Sequence, residues 1–283
     1  MDEVTLTPIQ PYSLAQSAWG SNPTRQMRDA VLETVFEAGD EPVRARVWQR
    51  RDGSLVAQIT PHATDAAVAT LRFLLAVGVD HRPFLAIAAA DPLLRDIVSR
   101  SRGLRPMRTA TVAHALVQAV AGQLITAREA WQIERRVLTL TGRPHAGMTL
   151  PPTAEDLRSV SAAQLTRAGL APRRAAALAR VVRTLDIERL REVDTPQAVA
   201  RITRERTLGP WSAGVIALSG LGRTEHGLVG DLGLIRLCSH LLGRPATEGD
   251  THRLLERYGR WAGVASVHLL RHPLARTGAA RAA

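Results

Sequence analysis

Asp231 is the side chain in this sequence best placed to do chemistry. It lies in Gly230-Asp231-Leu232-Gly233-Leu234 and opens an apolar helical run. A carboxylate there meets free backbone N–H groups and the positive end of the helix dipole, both of which favour its negative charge. Upstream, Ile202–Thr207 carries the tail of one helix into a polar turn ending Leu208-Gly209-Pro210, and an apolar helix starts at Trp211. Such a turn points backbone N–H groups outward at an anion. Gly209 removes the side chain that would block close approach, and Pro210 suits the first turn of the helix that follows. Together these residues form a device for gripping a phosphate and holding one carboxylate at a fixed distance from it. The same stretch also fits an ordinary helical hairpin with an aspartate cap beyond it, and by itself it does not separate the two.

The elements that must position these groups fall into two textures. Residues 1 to about 85 carry short, Val-rich, partly alternating segments, Ala30–Phe36, Val43–Trp48 and Ser54–Thr60, with Asp52-Gly53 as a hairpin turn. A helix is expected from about Ala63 to Ala76, which gives a small α+β unit built on an antiparallel sheet. The remainder, 86–283, reads as helical, with two helical subdomains. Asp91-Pro92 is expected to start a short helix, and Thr109–Leu140 is a long helical region interrupted near Gly122-Gln123. Arg143–Pro152 is a linker, followed by helices near 162–168, 172–190 and 195–203. The hairpin covers about 195–221, and the last helices start near Asp231, Asp250 and Trp261. Leu116, Val120, Trp131 and Ile133 are expected in the core at helical spacing.

Composition narrows the chemistry. The 283 residues hold 37 basic and 26 acidic side chains, a net charge of +11, and every basic group other than histidine is arginine. Arginine stays charged and forks onto phosphate oxygens, so a polyanion, most often nucleic acid, is the expected partner. A GC-rich coding bias explains the missing lysines but not the net excess. Without lysine there is no side-chain amine for a Schiff base and no lysine-dependent phosphate loop. Cys238 is the only cysteine, which excludes an internal disulfide or a four-cysteine iron–sulfur cluster in this chain. The histidines show no metal-ligand spacing, no G-x-S-x-G elbow occurs, and no apolar run approaches a membrane span. The opening residues lack a secretory signal, so a cytoplasmic, nucleoid-associated protein is expected.

These residues and their order resemble the helix-hairpin-helix DNA glycosylases, specifically the 3-methyladenine DNA glycosylase II branch that removes alkylated bases. Gly103-Leu104-Arg105 and Ala121-Gly122-Gln123-Leu124 look like the family's interdomain crossing and its G-Q-L turn. Leu208-Gly209-Pro210-Trp211-Ser212-Ala213 resembles the second half of the hairpin, and the run around Asp231 resembles the catalytic acid motif. Residues 1–85 match the branch's N-terminal domain in order and size, with Pro11-Tyr12-Ser13-Leu14 similar to its opening. The resemblance implies a mainly α fold with an active-site cleft between helical domains, no cofactor, and a monomer acting on damaged double-stranded DNA.

Carried over position by position, the resemblance gives Asp231 the role of stabilising the sugar cation as the base leaves. Leu124 becomes the wedge that fills the gap left by the extracted nucleotide. Arg206, Thr207, Leu208 and Gly209 become the phosphate-holding hairpin, where the family often seats a monovalent cation on carbonyl oxygens. Gln123, Trp211, Val215 and Leu270 become base-pocket residues, with Trp19 and Trp261 as further candidate aromatic faces. Trp211 occupies the position of the Schiff-base lysine in strand-cleaving relatives, which implies a monofunctional enzyme. The chain departs from the pattern at Arg206-Thr207, usually Pro-Gly, in Trp261-Ala262-Gly263-Val264, where relatives tend to have W-R-[SA]-Y, and at Val215 and Leu270, where relatives often carry tyrosine and tryptophan. Thr207 tolerates a left-handed backbone poorly, so an altered turn is expected. Two other readings stay open: a non-catalytic binder of DNA lesions or structures on the same fold, and a glycosylase for deaminated or oxidised bases. A helix-turn-helix regulator explains neither the lone acid nor the N-terminal sheet.

Overall fold

The computed structural model of the chain describes residues 1–18, 21–123 and 125–276. Strands β1 (Asp2–Leu6), β2 (Arg25–Arg28), β3 (Val31–Ala38), β4 (Glu41–Gln49) and β5 (Leu55–Thr60) form one antiparallel sheet in the order β1-β5-β4-β3-β2. Alternation sets its faces. Val43, Ala45 and Val47 point into the core, while Arg44 and Arg46 point outward onto Glu33 at 3.2 and 3.1 Å. A short helix, α1 (Leu14–Ser17), precedes β2, and α2 (Asp65–Leu74) covers the buried face with Leu71 and Leu74.

The helical remainder builds two further cores. One spans α5 (Val112–Ala121), α6 (Ala127–Thr141), α7 (Ala154–Ser159), α8 (Ala162–Arg167), α9 (Pro172–Thr184), α10 (Thr195–Thr203) and α11 (Pro210–Val215). A π-helical turn, Ile216–Gly220, prolongs α11. The other core joins α3 (Arg82–Ala90) and α4 (Arg95–Arg100) to α12 (Leu232–Leu242), α13 (Glu248–Glu256), α14 (Ala262–Leu269) and α15 (Pro273–Arg276). The chain therefore crosses to the last lobe, returns to make the middle one, and crosses back before Asp231. The Arg143–Pro152 linker folds into a small hairpin, β6 (Pro144–His145) with β7 (Met148–Thr149), whose Met148 packs with Val35 of the sheet.

Two segments singled out in the sequence meet here. Gly103 accepts the Ser13 N–H at 2.8 Å, and a Cβ at Gly103 would lie 2.7 Å from that same nitrogen. Arg105, 1% exposed, donates to the Pro11 carbonyl at 2.5 Å and so ties the N-terminal unit to the crossing between lobes. A second tie is Glu134 of α6, whose Oε1 takes Asn22 Nδ2 (3.1 Å), His114 Nε2 (2.9 Å) and Gln118 Nε2 (3.1 Å). Burial alone would raise this carboxyl's pKa. The hydrogen bonds from His114 and Gln118 and the charges of His114 and Arg25 hold it below the ordinary value instead.

Local expectations fail in two places. Asp91-Pro92 opens a turn rather than a helix: Asp91 accepts the Leu93 N–H (2.7 Å) and the Tyr258 hydroxyl (3.0 Å), and helix begins only at Arg95. Trp131 is 38% exposed, on the outer side of α6, with the Arg135 guanidinium 4.7 Å above its ring. Its helical spacing was compatible with the core, but an arginine one turn on covers the ring in place of a neighbouring helix.

One packing detail governs how the loop before Asp231 sits. A Cβ built on Gly214 would lie 2.4 Å from the Gly227 carbonyl oxygen, a contact with backbone that no rotamer change relieves. Gly214→Ala is therefore expected to destabilise the protein by about 1–3 kcal/mol, the usual cost of overpacking. Thermal or urea unfolding reads this directly. Stability equal to wild type would show that the loop can shift away at no cost.

Candidate active site at a helical hairpin

α10, the turn 204–209 and α11 form a helical hairpin whose local chemistry explains its shape. Asp194 caps α10 by accepting the Gln197 N–H at 2.8 Å, and Pro210 sits in the first turn of α11. Between them the chain turns through Glu205 N–H to the Ile202 carbonyl (3.1 Å) and Leu208 N–H to the Glu205 carbonyl (2.8 Å). Leu208 itself is 1% exposed, its side chain sunk in the middle core and its N–H spent inside the turn, so it offers a phosphate no donor. Gly209 is extended at φ −80°, and a Cβ there would meet nothing within 4 Å. The turn does not need glycine for its own conformation; what glycine leaves is open space above the backbone.

Among the described residues the non-glycine positions with positive φ are Asp29, Ala30, Ala76 and Ala146, so Thr207 keeps out of the left-handed region. Arg206 is exposed beside it. The Thr207 carbonyl is held by Gln123 Nε2 at 2.6 Å, and the same nitrogen donates to Ser212 Oγ at 3.1 Å. Gln123 thus clamps the turn between α5 and α6 onto the hairpin, bridging the polar turn and the start of α11. The carbonyls of Glu205 and Thr207 each accept one protein donor, from Leu208 N–H and Gln123 Nε2. Among the described residues no group of three or more His, Cys, Asp or Glu side chains is arranged to hold a metal.

Asp231 lies where α11 meets the last lobe. It is the N-cap of α12, and its Oδ1 accepts the Gly233 N–H at 2.7 Å and the Leu234 N–H at 3.4 Å. The other oxygen, Oδ2, accepts Trp211 Nε1–H at 2.9 Å. Both oxygens are therefore oriented, one by its own helix and one by an indole from the hairpin helix. Trp211 is fixed in turn from behind: a Cβ at Gly122 would lie 2.6 Å from its Cη2, so only glycine lets the ring sit there. Leu270 closes on the same helix start, 2.6 Å from where a Cβ of Gly233 would be. Trp211, Val215 and Leu270 all pack, half-buried, against the last lobe's core.

The structure thus brings Asp231, Trp211, Val215 and Leu270 to one seam, with Gln123 at the hairpin side of Trp211. Trp261 is elsewhere. It is 6% exposed and packs on His81 at 5.3 Å and Phe84 at 6.2 Å between ring centroids. Leu124 and Trp19 lie outside the described residues. The sequence reading missed the supporting glycines, Gly122, Gly214 and Gly233. Their only signal was small residues beside the motif, and their partners are remote in sequence.

No family model matches the chain. Two Mycobacterium tuberculosis proteins, from strains CDC 1551 and H37Rv, are each described as a probable bifunctional transcriptional activator/DNA repair enzyme AlkA. Each is 30% identical over 216 residues, 74% of this chain and 43% of the relative. The chain thus spans less than half the length of these curated relatives. Among solved structures it is similar to a 3-methyladenine DNA glycosylase from Archaeoglobus fulgidus, with TM-score 0.80, 18% identity and coverage of 96% of this chain and 97% of that one. An 8-oxoguanine glycosylase/lyase from Clostridium acetobutylicum superposes with TM-score 0.76 and 14% identity, covering 96% of each chain. At these identities the solved structures show a shared fold.

Proposed function

We propose that this chain is a DNA repair glycosylase of the helix-hairpin-helix type that excises alkylated purines by hydrolysis, a reading supported by its similarity to the AlkA relatives and by the fold it shares with the Archaeoglobus enzyme. The observation that carries this reading is the Asp231 carboxylate, oriented at both oxygens beside an electron-rich indole at the end of a phosphate-type hairpin. The hairpin grips the backbone of damaged duplex DNA through the open space over Gly209, and the target nucleotide turns out of the stack into the seam. Leu124, which follows Gln123 in the sequence, is the proposed wedge for the vacated space, offsetting an unstacking cost of a few kcal/mol.

The chemistry then asks little of an acid. A base alkylated at a ring nitrogen carries positive charge and leaves without a strong proton donor, while the sugar becomes an oxocarbenium ion. A carboxylate about 4 Å away, at an effective dielectric near 20, stabilises that cation by roughly 4 kcal/mol. Water then adds to the anomeric carbon and loses a proton, giving an abasic site and a free base. The face of Trp211 suits a cationic base, and Val215 and Leu270 shape the rest of the pocket. With no lysine in the chain, no side-chain amine forms a Schiff base with the sugar, so the backbone is left unbroken.

The direct test is base release from a panel of duplexes carrying alkylated, deaminated or oxidised bases. Release of 3-methyladenine or 7-methylguanine without strand cleavage is the expected result. Release of hypoxanthine, uracil or an oxidised purine alone would replace the lesion class, a shift that the apolar Val215 and Leu270 make the main competitor. Tight DNA binding with no base released from any duplex would identify a non-catalytic lesion binder instead.

A further inference from the structure

Beside the hairpin, α9 presents one face with Arg173, Ala176 and Arg180 at helical spacing, and these line an open cleft whose other wall is Arg204, Glu205, Arg206 and Thr207. The cleft holds four guanidinium groups and a single carboxylate. That carboxylate is already committed, because Glu205 Oε2 accepts both Nε and Nη2 of Arg180 at 3.2 Å. Arg173, Arg204 and Arg206 pair with no carboxylate among the described residues. Three uncompensated cations facing one another repel unless an anion lies between them, and folding alone gains nothing from that arrangement. A further observation points the same way. Ala176, the middle residue of the α9 face, is exposed and small, which leaves the floor low between the two arginines.

We propose that this cleft holds the phosphates that continue the strand gripped at Gly209, so that α9 is a second, arginine-based half of the DNA clamp. The inference rests on the glycosylase reading only for the identity of the polyanion. Arg173 and Arg204 take phosphate oxygens from opposite walls, and Arg180 is kept oriented by Glu205. Contacts of this kind fix register on the duplex and carry no base sequence.

The test uses the full chain with undamaged duplex DNA, so that it reads binding alone. Arg173→Ala and Arg204→Ala, singly and together, are compared with wild type by fluorescence anisotropy across a salt series. Each substitution is expected to weaken binding and to lower the slope of log K against log salt by about one, and the double variant by about two. Arg173→Lys should restore most of the slope. Unfolding midpoints should not fall, since each substitution removes one of the mutually repelling charges. An unchanged slope in the double variant overturns the inference while leaving the glycosylase reading intact. Lowered slopes in a protein that releases no base leave the inference standing and remove that reading. Failure of the wild-type protein to bind duplex DNA ends both.

Discussion

Asp231→Asn is expected to cut single-turnover base release by about a thousandfold while leaving DNA binding close to wild type. The figure follows from removing the roughly 4 kcal/mol of charge stabilisation, at about 1.4 kcal/mol per tenfold in rate. The substitution is also informative structurally. Asn is a good helix cap and can keep accepting the Gly233 N–H with its one carbonyl oxygen. Its amide then faces Trp211 Nε1, now 2.9 Å from an acceptor, with a donor against a donor. The cap or the indole bond must be given up, at about 1 kcal/mol of stability. Loss of activity with a small drop in unfolding midpoint therefore fits, whereas release within a few-fold of wild type would remove Asp231 from the chemistry.

The second large effect concerns Trp211, which does two jobs in this geometry. Its ring face is the proposed platform for the base, and its N–H donates to Asp231 Oδ2. Trp211→Phe keeps an aromatic face and deletes only the donor. A hydrogen bond to a charged group contributes about 1.5–3 kcal/mol, so base release should fall roughly 10- to 150-fold. The loss should appear in the single-turnover rate at saturating DNA and not in duplex affinity, since the indole is half-buried at the seam with its N–H on Asp231. Near-wild-type release by the Phe variant would mean that Trp211 acts by stacking alone. Combining the two substitutions separates the cases further: once Asp231 is Asn, the Phe substitution should add little, because the acceptor it served has changed.

What the sequence determined by itself was local. Asp231 heads a helix, Pro210 opens the second helix of the hairpin, Val43, Ala45 and Val47 alternate into one face of a sheet, and Gly122-Gln123 breaks a long helical region. Each of these follows from chemistry within a few residues: a cap accepting N–H groups one turn away, a fixed proline φ, a pleat that flips every side chain. The excess of arginine likewise needs no coordinates to be read as charge.

Tertiary structure decided which groups meet. Trp211 and Asp231 belong to different lobes, and only the close passage of the 222–230 loop over Gly214 brings the indole N–H onto the carboxylate. Gln123, assigned from sequence to the base pocket, ties the hairpin to α5, its Nε2 donating to the Thr207 carbonyl and to Ser212 Oγ. Leu208 and Trp261, both beside motif residues, are buried, while Trp131, at core spacing, faces outward under Arg135. Periodicity tells which residues share a face of a helix. It does not tell what that face meets, because that depends on how separate cores close against one another, and those contacts join residues far apart in the chain.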